Sequence, residues 1–179
     1  MNFLLTGGAG YIGSHAALSL LDAGHNVHII DDLSTGNESL IPKNAFFTKC
    51  NINDEEVISE LIKSNSFDLL MHFAGFIQVE ESVKYPQKYF DNNTENATKL
   101  FETCKNNGLN KIVFSSTAAA YGSVSENKLI DENTNLNPQN PYAESKIKTE
   151  NFLFENKDDY KFIILRYFNV AGADKKLRS

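Results

Sequence analysis

The chain has 179 residues, enough to bury one full hydrophobic core. Its 23 acidic and 17 basic side chains leave a formal charge of -6, which argues against a nucleic-acid surface built from clustered Lys and Arg. No stretch approaches the roughly 20 apolar residues of a membrane span, and Cys50 and Cys104 show neither metal-ligand spacing nor a disulfide framework, so a soluble protein of the reducing cytoplasm is expected.

The first apolar run carries no basic leader and meets glycines at once, so it reads as a strand at 3–5 and not as a secretory signal. A helix follows at 12–23, stopped by Gly24, and then strands at 27–30 and 45–48. Asn53-Asp54-Glu55-Glu56 loads a helix start with acids that complement its dipole, opening a helix at 54–63. Next come a strand at 69–73, a long helix at 87–107 ended by Gly108, and a strand at 111–114. The longest polar connection, 123–139, is where a substrate-facing loop would sit. A helix at 142–156 and a strand at 161–165 complete the pattern. Brief apolar strands alternating with amphipathic helices predict an α/β fold, a doubly wound parallel sheet with helices on both faces.

Two motifs carry chemistry. In Thr6-Gly7-Gly8-Ala9-Gly10-Tyr11-Ile12-Gly13, Gly7, Gly10 and Gly13 leave a strand and open a helix. The first allows the tight turn, the second a close backbone approach to a pyrophosphate, and the third close helix–strand packing. Backbone N–H groups and the helix dipole there favour anionic phosphates, which makes this a Rossmann-type dinucleotide loop. Asp31 stands 18 positions beyond Gly13, at the end of the second strand, where a carboxylate accepts from adenosine ribose hydroxyls. It would repel a 2′-phosphate, Asp32 adds a second negative charge, and no Arg or Lys precedes Lys43. NAD is therefore expected over NADP.

The second motif is Asn140-Pro141-Tyr142-Ala143-Glu144-Ser145-Lys146. A Tyr and a Lys four apart project from one helix face, and a nearby ammonium favours the phenolate. Such pairs are common on surface helices. What raises this one is Phe114-Ser115-Ser116-Thr117-Ala118-Ala119-Ala120-Tyr121-Gly122, where a buried strand ends in hydroxyls at the ligand-binding edge of an open sheet. Thr117 is placed to bond a substrate hydroxyl and relay its proton to Tyr142.

With these motifs, and with segments at 6–15, 31–36, 72–75, 81–83, 90–93, 115–122, 140–146 and 165–174, the chain resembles the extended short-chain dehydrogenase/reductases and, within them, the UDP-glucose 4-epimerase family. Leu165-Arg166-Tyr167-Phe168-Asn169-Val170-Ala171-Gly172-Ala173-Asp174 is the specific segment. The resemblance implies that UDP-glucose and UDP-galactose interconvert through a 4-keto sugar, by reversible hydride transfer to tightly held NAD. Tyr142 would be the base, with its pKa lowered by Lys146 and the nicotinamide charge, and Thr117 would assist. Carried over by position, Tyr11 and Ile12 would join the glycine loop in holding NAD. Asn51 and Ile52 would lie by the adenine, and Phe73, Ala74, Gly75, Asn92, Ser115 and Tyr167 would line the cofactor. Asn169 would reach the UDP-sugar. His72, at a strand end, reads as a packed core residue. A homodimer through the helices at 87–107 and 142–156 is implied as well.

Two departures stand out: Asn51 replaces the family's usual Asp, and Ile77 replaces a phosphate-binding Lys of some members. A 4,6-dehydratase of the same superfamily needs an acid pair where this chain has Ala118 and Ala119, which cannot transfer protons. Residues 1–165 are expected as the NAD-binding domain, and 166–179 as the start of a connection to a C-terminal substrate domain. The alternative reading is an NAD-binding fragment or regulatory module without turnover.

Overall fold

The computed structural model describes residues 1–124, 129–176 and 178. Part of the expected loop at 123–139 (residues 125–128) and part of the expected connection at 166–179 (residues 177 and 179) lie outside the described residues.

In chain order the elements are β1 (Asn2–Thr6), α1 (Tyr11–Asp22), β2 (Asn26–Asp31), β3 (Phe46–Lys49), α2 (Glu55–Ser64), β4 (Leu69–His72), α3 (Val79–Lys84), α4 (Pro86–Phe90), a π-helical turn (Asp91–Asn96), α5 (Ala97–Asn106), β5 (Lys111–Thr117), α6 (Pro141–Glu155) and β6 (Lys161–Tyr167). The strands form one parallel sheet in the order β3-β2-β1-β4-β5-β6. This is a Rossmann-type doubly wound sheet.

The two-residue period of a strand sorts the core onto two faces. On one face Leu4, Ile30, Leu70, Ile112 and Phe114 pack with Ile58 and Ile62 of α2, Leu100 and Phe101 of α5 and Leu153 of α6. On the other, Phe3, Leu5, Val27 and Ile29 pack with Ala17 of α1. Leu5, Met71, Val113 and Ile163 fall on one register row, and Ile163 at its β6 end is exposed.

Most element ends shift by a residue or two from the sequence expectation, and the larger differences lie in β5, β6 and the helical region 79–106. β5 and β6 continue past their apolar runs, because backbone pairing of Ser115 with Leu165, Ser116 with Arg166 and Thr117 with Tyr167 carries the ladder into the polar residues. The single helix expected at 87–107 starts at Pro86 and is broken in register by the π turn. α3, too short for its period to be read, was not anticipated. α6 starts where Asn140 accepts from the Ala143 N–H at 2.9 Å, with Pro141 in its first turn.

Phe101 is fully buried between the sheet and α6, ring to ring with His72, Phe114 and Phe152. Phe101→Ala is expected to cost about 3–5 kcal/mol in urea unfolding. Leu129→Ala, at a side chain 93% exposed, should stay within about 0.5 kcal/mol.

Candidate active site

The β1–α1 turn is closely flanked by main chain at Gly7 and Gly13. Gly7 takes φ 73°, and a Cβ there would lie 2.5 Å from the Ala74 nitrogen. A Cβ on Gly13 would collide with the Gly7 carbonyl oxygen. The Gly7 N–H donates to the Ile30 carbonyl at 2.9 Å, tying the turn to β2. Gly10 caps α1 without any side-chain acceptor, and no acid occupies the first turn, so the helix N-terminus keeps N–H groups free for an anion.

Asp31 does more than the sequence reading assigns it. Its two carboxylate oxygens accept from the Ala9 N–H and the Leu33 N–H, both at 2.9 Å, so the acid pins the glycine loop to the end of β2. Leu33 adopts φ 61°, a region bulky residues avoid, directly after the two acids. Asp32 accepts from the Ser34 N–H at 2.9 Å and from the Asn51 amide at 2.8 Å. The departure at Asn51 thus has a local reason: an Asp there would set two carboxylates against each other.

At the other end, Tyr142, Lys146 and Thr117 come together. Burial raises the Tyr142 pKa, and a hydrogen bond with Thr117 pulls it back down. In the protein alone desolvation of the phenol outweighs that bond; the lowering expected from Lys146 together with the nicotinamide charge belongs to the cofactor-bound site. Lys146 is only 3% exposed. Burial lowers its pKa to about 8, with the Glu150 carboxylate opposing. Its Nζ lies 5.1 Å from the Phe114 ring centroid. His72 is fully buried, with Nδ1 2.6 Å from the Thr6 hydroxyl and its ring stacked on Phe114. Burial, and then Lys146, lowers its pKa to about 3, so it is a neutral packed ring.

Sequence reasoning missed several residues that shape this end. Asn93, in the π turn, receives the Phe76 N–H and donates to the Phe76 carbonyl, both at 2.9 Å, clamping the segment after β4. Tyr89 packs edge-on to Tyr142 at 6.4 Å between centroids and donates to Glu81 at 2.9 Å. Glu150 is fully buried and bonds Ser116 and Arg166. Only Glu150 had a readable signal, falling on the helical face already marked by Tyr142 and Lys146.

One cleft of about 930 Å³ along the carboxyl ends of the strands joins both ends. Gly7, Gly10, Tyr11, Ile12, Gly13, Asp31, Asp32, Asn51, Ile52, Phe73, Ala74, Gly75, Asn92, Ser115, Thr117, Tyr142, Lys146, Tyr167 and Asn169 all line it. Ile77, Tyr89, Ala118 and Ala119 line it too. Among the described residues no cluster of metal-ligating side chains occurs and no helix is long and apolar enough to cross a membrane.

A glycine turn at an uncapped helix start and a Tyr–Lys pair, opening onto one cleft of a parallel sheet, define a dinucleotide-binding domain of the short-chain dehydrogenase/reductase type. More narrowly, the chain belongs to the NAD dependent epimerase/dehydratase family, matched over residues 3–179. It is 45% identical over 173 residues to a UDP-glucose 4-epimerase of Azospirillum brasilense, covering 96% of this chain and 49% of that one. Identity is 41% over 175 residues to the Lactobacillus helveticus UDP-glucose 4-epimerase, covering 97% and 53%. A crystal structure of a UDP-glucose 4-epimerase superposes with a TM-score of 0.93 at 39% identity, covering 97% of this chain and 53% of that one. The Thermus thermophilus UDP-glucose 4-epimerase in complex with NAD superposes with 0.92 at 36% identity, covering 97% and 57%. The chain spans about half the length of the curated relatives it matches.

Gly7→Ala should destabilise the protein by about 2–4 kcal/mol, combining a strained φ with a backbone clash. Gly24→Ala, also at positive φ but facing open space, should cost only about 1–2 kcal/mol in the same unfolding assay. His72 supplies a pH test. Its pKa of about 3 in the fold lies below the ordinary 6.5. The unfolded chain therefore binds the extra proton between these values, and stability falls as pH drops through that window. His72→Gln should flatten the fall when unfolding is compared at pH 7 and pH 4.

Proposed function

We propose that the protein is the nucleotide-binding portion of a UDP-glucose 4-epimerase, interconverting UDP-glucose and UDP-galactose through a 4-keto intermediate with resident NAD. The observation that carries this reading is the meeting of Tyr142, Lys146 and Thr117 in the cleft that also holds the glycine turn.

The residues present fit NAD. The uncapped start of α1 suits a pyrophosphate, and the Asp31 oxygens retain lone pairs for ribose hydroxyls. Lys88 and Lys146 are the cations among the described residues lining the cleft. Lys88 is paired with Glu81 at 2.8 Å and Lys146 is buried, and Lys49, the β3 partner of Asp31, lies outside the lining, so no free cation of the cleft wall offsets a 2′-phosphate by Asp31. When bound, NAD supplies the hydride acceptor that returns the hydride to C4 of the sugar.

This chain's own residues hold and move the proton. Tyr142 takes it from the sugar 4-hydroxyl, while Thr117 bonds both the phenol and that hydroxyl. Lys146, with a pKa of about 8, sets the charge beneath the phenol. Phe73, Ala74, Gly75, Asn92, Ser115 and Tyr167 form the cofactor wall, and Asn169 meets the UDP-sugar. Ala118 and Ala119 present only methyl groups after Thr117, which favours epimerisation over elimination of water. A cytoplasmic location, a homodimer through the helices at 87–107 and 142–156, and a domain limit near residue 165 belong to the same reading. The half-length match to the relatives favours a second reading, an NAD-binding fragment without turnover.

The test is absorbance at the wavelength of reduced nicotinamide when UDP-galactose is added to the NAD-loaded protein. Reduction is expected in the wild type, and Tyr142→Phe should slow it by about 10²–10⁴-fold. NAD bound without reduction or sugar interconversion would leave the fragment reading. A purified protein that binds no NAD would overturn both.

A further inference from the structure

Glu150 is a fully buried carboxylate to which the chemistry above gives no part. Arg166 grips it through Nε, at 3.1 Å from each carboxylate oxygen, and through a second guanidinium nitrogen at 2.6 Å from Oε2. The Ser116 hydroxyl donates to Oε1. The remaining arm of Arg166 donates to the Tyr121 hydroxyl at 3.0 Å, in the turn that follows Thr117. Four pieces of chain converge on one carboxylate: α6, the end of β5, the turn beyond it and the end of β6.

The placement of these contacts is what matters. Tyr142, Lys146 and Glu150 sit four residues apart on one face of α6. Ser116 immediately precedes Thr117, and Arg166 immediately precedes Tyr167, with the two donors paired across the β5–β6 ladder. A multidentate guanidinium–carboxylate pair fixes orientation as well as distance. Stripped of its partners, a buried carboxylate is expensive, so α6 can neither slide nor rotate without breaking several bonds together. Misplacing a general base by about 1 Å costs on the order of 10²-fold in rate.

We propose that Glu150 is a positioning residue: through Ser116 and Arg166 it clips α6 to the ends of β5 and β6, and so sets Tyr142 and Lys146 against Thr117. As a role in turnover this rests on the epimerase reading, but the geometry it asserts does not.

Three variants test it in the NAD-loaded protein. Glu150→Gln keeps the shape but loses the charge-assisted grip. It should lower kcat on UDP-galactose by about 10–100-fold with KM within about threefold of wild type, because the loss falls on the chemical step. Glu150→Asp, retaining the charge, should recover part of that rate. Ser116→Ala changes no charge and removes one arm of the clip. In it the Tyr142 phenolate midpoint should rise by about half a pH unit as the Thr117 bond loosens. That midpoint is read as the ultraviolet difference against Tyr142→Phe, without UDP-sugar. Tyr89 on α4 and Thr117 on β5 face the phenol, Lys146 lies one turn along the same helix, and all three are unchanged. A folded Glu150→Gln with wild-type kcat, or Ser116→Ala with an unmoved Tyr142 midpoint, would overturn the proposal. Should Glu150→Gln fail to fold, Ser116→Ala decides. Should the wild type be inert towards UDP-galactose, the epimerase reading falls, and the midpoint still decides the role of Glu150.

Discussion

Where β1 turns into α1, the glycine loop lies flush against the chain leaving β4, with only a hydrogen of Gly7 between it and the Ala74 backbone. α1 is equally close, its Gly13 resting on the Gly7 carbonyl. Because these contacts are backbone to backbone, they fix the distance between the first and fourth strands' ends without any rotamer to adjust. Asp31 adds β2 to the same junction by bonding Ala9. The floor of the cleft is therefore main chain, and side chains beyond it inherit their positions. Phe73, Ala74 and Gly75 owe their place in the cavity wall to this junction, and Lys146 reaches its buried site beside Gly75.

The far end of the cleft rests on charge. Burial drives Lys146 towards neutrality, to a pKa of about 8, and holds His72 neutral beside it. Glu150 opposes that trend for Lys146, while its own charge is matched by Arg166. The result is a buried amine with a pKa of about 8, flanked by a neutral imidazole and by a carboxylate that is itself paired. The same burial raises Tyr142.

Much of this was legible in the amino-acid sequence, and the reasons for the exceptions are physical. Short apolar runs such as Leu4-Leu5 and Ile29-Ile30 reveal strands because they are covered on both faces, and a glycine triplet after the first run marks the turn. Apolar periodicity reports burial, however, and not partners. It could not show that Ser116 and Arg166 continue the ladder, since polar residues at strand ends look like loop. Nor could it show that Glu150, an acid on an otherwise amphipathic helix, is buried against an Arg sixteen residues later. Asp31 was read as a ligand for ribose; its grip on Ala9 depends on a loop path that no local pattern encodes. The spacing of Tyr142 and Lys146 has a related limit. Spacing showed that a lysine is near, but not how much water the fold removes.

The π-helical turn at Asp91–Asn96 joins α4 to α5 in one continuous rod. One extra residue in that turn swings everything before it by roughly 100° relative to a straight α-helix, since each residue advances the helix by that angle. Tyr89 meets Tyr142 edge-on and Phe101 packs on Phe114 of the sheet; twelve residues apart, they would stand about 120° apart on a straight α-helix, and the extra residue brings them to within about 20°. The rod thus works as a coupling with an angular offset, in which the half that meets the sheet and the half that meets the cleft are indexed separately. Substitutions that improve packing around Phe101 can accumulate without rotating Tyr89 away from Tyr142. Gain or loss of one residue within the turn would re-aim α4 and unseat the fully buried Tyr89.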